Sequence, residues 1–111
     1  MSELNPNSVC RRHMVFGWWS LAVFMSLGVV LECLHALEVL EYLANETRRM
    51  MWRLAHAHGT LLGLLNIAFA LSADRVEQGR LNLASRLLLV GTVLLPGGFF
   101  AGGVTTYDSD P

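Results

Sequence analysis

Charged side chains stay outside three long apolar runs. Between His13 and Glu32, the 18 residues from Met14 to Leu31 carry no charge. Between Arg53 and Asp74, the 20 residues from Leu54 to Ala73 contain only His56 and His58 as ionisable groups. Between Arg86 and Asp108 lies a third run of 21 residues, Leu87 to Tyr107. A helix needs about 20 mainly apolar residues to cross the hydrocarbon core, and backbone inside lipid must satisfy its own hydrogen bonds. The pattern therefore predicts an all-α integral membrane helical bundle with three transmembrane helices. The spans are expected at about 14–34, 54–73 and 87–107 of a single domain 1–111, with a helical extension and loop over 35–53. A soluble bundle would keep a charged outer stripe on each helix, and these runs have none.

The connections read differently from each other. From Glu32 to His56 there is no Pro or Gly, and Leu34, Leu37, Leu40 and Leu43 recur at short helical spacings. The first helix is expected to continue to about Leu43, with Asn45-Glu46-Thr47 turning the chain. Tyr42 and Trp52 suit the interfacial aromatic belt. Asp74 to Arg86 is short and polar, with Gly79 as its expected turn, so the second and third spans form an antiparallel hairpin. Arg11 and Arg12 precede the first run as in a secretory signal, but no small-x-small cleavage pattern follows it, and a retained helix is expected.

Composition agrees with the spans. The chain is 53% hydrophobic and 15% charged, with a net charge of −1, against about 25% charged residues in ordinary soluble domains. All eight basic residues are Arg, and they form no long cluster, so no nucleic-acid partner is expected. Five of them (Arg11, Arg12, Arg75, Arg80, Arg86) fall on one side of the three spans and three (Arg48, Arg49, Arg53) on the other. Cytoplasmic loops carry the excess of Arg, which places the N-terminus in the cytoplasm. No P-loop, GxGxxG, GxSxG or CxxC is present, and an autonomous enzyme is not expected.

Helices in lipid associate through small residues. The second run contains Gly59-Thr60-Leu61-Leu62-Gly63 and the third Gly98-Phe99-Phe100-Ala101-Gly102, both GxxxG patterns. At 100° per residue, His56, Gly59, Gly63, Asn66 and Ala70 share one stripe of the second helix, expected to face its neighbours, with Asn66 as an interhelical hydrogen-bond donor. His58 falls on the opposite, leucine-rich stripe. Gly17, Leu21, Met25, Gly28, Glu32 and His35 share a face of the first helix, and Pro96-Gly97-Gly98 is expected to kink the third.

Ionisable groups gather at one level of this bundle. The first span ends at Glu32 and His35, the second starts at His56 and His58, and the third ends at Asp108. Groups of this kind within or beside a span are costly and tend to be functional. Glu32-Cys33-Leu34-His35 places carboxylate and imidazole on one helical face, a spacing used in di-metal bundles, which need a second copy. Glu32, His35 and His56, completed by Asp108 or His58, would suit Zn, Cu or Fe. His35 and His56 could instead be the axial ligands of a haem. Interhelical hydrogen bonding with no cofactor, and a proton or ion relay, are the alternatives for the same residues.

Residues 31–35 (Leu-Glu-Cys-Leu-His), the stretch from Arg48 to Gly59 with its Ala-His-Ala-His-Gly, residues 94–100 and the closing Tyr-Asp-Ser-Asp-Pro resemble a group of small multi-pass bacterial membrane proteins whose motifs name no reaction. The resemblance implies a bacterial inner-membrane location and a four-helix bundle in which the Asp-Pro segment leads into a last apolar helix. A truncated four-helix bundle is thus the alternative to three complete spans. The function expected is a small membrane subunit binding a metal ion or haem for redox or metal handling, in the lipid bilayer as a homo-oligomer or within a larger complex. A structural accessory subunit and a small transporter or proton conduit are the other readings.

Overall fold

A computed structural model describes residues 6–105 of the chain. Its long helices are α1 (Pro6–Ala36), α3 (Glu46–Ser72) and α4 (Gln78–Val104), with a one-turn α2 (Leu40–Leu43) between the first two. The described residues contain no strand. At about 1.5 Å per residue α1 rises about 46 Å, close to the longest dimension of the molecule, 51 Å. Each of the three long helices is long and apolar enough to cross a membrane. Large apolar side chains such as Trp18, Trp19, Val29, Leu71, Leu87 and Leu94 point outward, as lipid-facing positions do.

The first helix stops sooner than leucine spacing predicts. The amide of Val39 donates to Leu34 O at 3.0 Å and that of Glu38 to His35 O at 3.1 Å, the bond pair of a Schellman terminus. Glu38 occupies the position where glycine is usual, with φ 54°, a conformation that costs an L-residue about 1–2 kcal/mol. What offsets the strain is Tyr42. The break folds α2 back so that Tyr42 is 2% exposed and stacks on Trp52 at 6.0 Å between ring centroids. Trp52 in turn stacks on Phe100 and donates to its carbonyl oxygen.

Helix α3 begins where Asn45 caps it, its side chain accepting from the Arg48 amide at 2.9 Å. A single 3₁₀ turn, Ala73–Arg75, leads to α4, so the reversal lies at Asp74–Glu77 and the expected turn residue, Gly79, is in the first turn of α4. Pro96 lies inside α4, which runs on through it to Val104.

Helix α3 is the centre of the bundle. Helices α1 and α4 pack along it and touch each other little. The stripe expected on α3 is the one buried, at Gly59, Gly63, Asn66 and Ala70. A Cβ at Gly17 would lie 2.8 Å from Gly63 O, and one at Gly59 would lie 2.1 Å from the Phe24 ring. The GxxxG of α4 does not work this way. Gly98 faces open space, and the close approach falls at Gly103, where a Cβ would meet Trp52 at 2.3 Å. Beneath the turn, Val9, Ala73 and Leu81 form a small core with Phe69 and Val76 against it.

Candidate functional site: a lateral cleft and a buried histidine network

Two polar centres lie toward opposite ends of α1. The first is a cleft of about 740 Å³ where α1 ends and α3 begins, lined by Glu32, Cys33, His35, Arg53, Tyr42 and His56 among others. It brings together three of the five residues expected to bind a metal. Glu32 and His35 are exposed at its edge. His56 lies deeper, its Nδ1 donating to Phe24 O at 2.6 Å. The imidazole fits because residue 28 is glycine: a Cβ there would lie 2.5 Å from the His56 ring. His56 Nε2 has no partner among the described residues.

His58 does not line this cleft. Its ring packs on Phe99 of α4 at 4.9 Å, and its Nδ1 donates to Leu54 O within its own helix. Residues i and i+2 on a helix point about 200° apart, which is why His56 and His58 part company. Asp108 lies outside the described residues. Among the described residues, no three His, Cys, Asp or Glu side chains gather closely enough to hold a metal ion.

The second centre is fully buried and joins all three long helices. His13 Nδ1 lies 2.7 Å from Asn66 Oδ1, and His13 Nε2 lies 2.7 Å from Ser85 Oγ. Asn66 Nδ2 donates to Leu62 O at 2.7 Å and to Thr92 Oγ1 at 2.8 Å. Thr92 donates in turn to Leu88 O at 2.6 Å. Proton positions follow from this chain. The single hydroxyl hydrogen of Thr92 is used on Leu88, so its oxygen accepts from Asn66 Nδ2. That turns Asn66 Oδ1 toward His13, whose Nδ1 must carry a hydrogen; with the ring neutral, Nε2 accepts from Ser85. The network is complete with a neutral imidazole. His13, Asn66 and Ser85 are all 0% exposed, and the Phe69 ring meets the imidazole edge-on at 4.6 Å.

In the sequence His13 reads as the border of the first apolar run, and that reading hid it. The signal was its spacing: Gly17 and Ser20 follow it four and seven residues on, along the buried face of α1. Ser85 and Thr92 are likewise seven apart on one face of α4. Asn66, by contrast, has the interhelical donor role expected of it.

A third cluster closes the bundle near the cleft. The last four carbonyls of a helix lack intrahelical partners, and α3 supplies one for Gly103 of α4 and a second donor for Phe100 just before them. Trp52 Nε1 donates to Phe100 O at 3.1 Å, and Arg48 Nε to Gly103 O at 2.8 Å. Arg48 also donates to Glu41 O at 2.6 Å and lies over the Trp52 ring. Compared with protein-family models, curated proteins and solved structures, the chain matches none.

Proposed function

We propose that the chain is a structural subunit of a membrane assembly, whose interior histidines tie its helices together instead of holding a cofactor. The observation that supports this reading is how the ring nitrogens are used. Both nitrogens of His13 and one of His56 are engaged in hydrogen bonds that cross between helices. Polar side chains of membrane helices serve as interhelical ties of about 0.6–2 kcal/mol each. The partner in the bilayer is a second copy or a larger complex. The location is a bacterial inner membrane with the N-terminus in the cytoplasm. The arginine distribution, five against three, supports that orientation.

One observation favours a second reading. Glu32, His35 and His56 line the same cleft, and His56 Nε2 is without a protein partner there. A haem held between His35 and His56, or a metal ion completed by ligands from a partner chain, is the form that binding would take. The two readings separate in one preparation. Detergent-purified protein is examined by absorption spectroscopy and by elemental analysis for Fe, Cu and Zn. The structural reading expects a colourless, metal-free protein in which His56→Ala lowers stability by about 1 kcal/mol. A Soret band, or near-stoichiometric metal lost in both His35→Ala and His56→Ala, would overturn it in favour of the cofactor.

A further inference from the structure

Because α1 and α4 lean on α3 and barely touch each other, a furrow is left between them on the N-terminal side. Beside its head, on α1 alone, is a hollow of about 760 Å³ lined by Ser8, Arg11, Arg12, Val15, Phe16 and Trp19. Arg12 and Phe16 also line the next hollow, of about 490 Å³, whose other wall is Val90, Val93 and Leu94 of α4. Phe16 and Val93 continue into a third, of about 250 Å³, that reaches Phe24. The shared residues make these one furrow, cationic at the head and apolar below. From Arg12 to Phe24 the helix rises about 18 Å at ~1.5 Å per residue. One leaflet of a hydrocarbon core about 30 Å thick is about 15 Å deep.

We infer that this furrow is a binding site for one anionic phospholipid. The phosphate sits on Arg11 and Arg12, and an acyl chain lies between α1 and α4 along Phe16 and Val93. Charge and depth together select this occupant. Both guanidinium groups are exposed, and neither is paired with a carboxylate among the described residues. Basic pockets between helices at a membrane surface bind anionic headgroups, and Arg is suited to forked contacts with phosphate. A zwitterionic lipid brings its own cation and gains less from the pair. An apolar helix would fill the furrow but leave the arginines unanswered. Trp19, 68% exposed two turns below Arg12, is placed where an amphipathic ring meets the glycerol level. The site lies at the opposite end of α1 from the cleft and holds whichever role the cleft has.

The test uses the full chain, stripped of lipid in mild detergent. Phosphatidylglycerol and phosphatidylcholine with the same acyl chains are added back, and thermal unfolding is followed alongside native mass spectrometry. Phosphatidylglycerol is expected to raise the midpoint by about 5 °C more than phosphatidylcholine, with one lipid retained per chain. The double variant Arg11→Gln/Arg12→Gln abolishes the difference. So does Val93→Trp, which fills the furrow from an exposed position and leaves both arginines in place. The charge-matched Arg75→Gln/Arg80→Gln keeps it. Equal responses to the two lipids would overturn the proposal, as would equal losses in both arginine pairs, which mean diffuse attraction. Stabilisation by glycerol phosphate alone, undiminished in Val93→Trp, would reduce the site to a phosphate site. A lipid-free dimer blocked by Val93→Trp would assign the furrow to a second copy.

Discussion

Asn66 links all three long helices. It touches α4 through Thr92 and α1 through His13, and it returns one bond to its own helix. Its amide has a donor and an acceptor side, and the network uses both, so a substitute with only one kind of group leaves a buried atom unsatisfied. Asn66→Leu is expected to cost about 1–2 kcal/mol in detergent unfolding. His13→Leu in the Asn66→Leu background should cost less than His13→Leu alone, since the partner is already gone. Additive losses in that double-mutant cycle would mean that the two side chains act separately. Gly28 makes the same point for a residue without a side chain: the slot it leaves is what lets the His56 ring reach α1.

Between elements, small residues set how closely α1 approaches α3, while larger groups hold α4. Gly17, Gly59 and Gly63 let two backbones meet. The α3–α4 seam instead relies on Trp52, Arg48 and the Asn66–Thr92 bond. This difference predicts opposite outcomes for similar substitutions. Gly59→Ala drives a methyl into the Phe24 ring and should destabilise by roughly 1–3 kcal/mol, the usual cost of overpacking. Gly98→Ala meets nothing within 4 Å and should be neutral or stabilise by up to about 1 kcal/mol through helix propensity. Comparable losses from the two would refute the assignment of the tight seam to α1 and α3. Pro96 belongs to the α3–α4 seam. It has no N–H to offer the Thr92 carbonyl four residues earlier, so the α4 ladder is interrupted where Thr92 turns its hydroxyl to the network.

On the scale of the molecule, the helices form an elongated body of 51 × 24 × 18 Å with apolar flanks. Its two cysteines report the orientation directly: Cys10 lies near the start of α1, and Cys33 is exposed near its other end. With the N-terminus in the cytoplasm, a membrane-impermeant maleimide applied to intact spheroplasts should label Cys33 and leave Cys10 unlabelled until the membrane is opened. Cys33→Ser should remove the signal. Labelling of Cys10 alone would reverse the orientation inferred from the arginines.

Class and spans were legible in the chain because a charge-free run of about 20 residues has few places to go. The buried stripe of α3 was legible as well, since Gly59, Gly63, Asn66 and Ala70 recur with the helical period. The grouping of Glu32, His35 and His56 followed from the same periodicity, applied to helices that alternate in direction. Other features depended on contacts between segments far apart in sequence. The turn at Glu38 has no local glycine to announce it, and burial of Tyr42 against Trp52 accompanies it. His13 reads as a boundary until α3 and α4 bring Asn66 and Ser85 to its two nitrogens. Sequence alone determined that the protein is helical, that three of its helices are long and apolar, and which face of α3 is inward. The tertiary structure decided which histidines meet partners, because a hydrogen bond depends on where two helices cross, and no single helix carries that information.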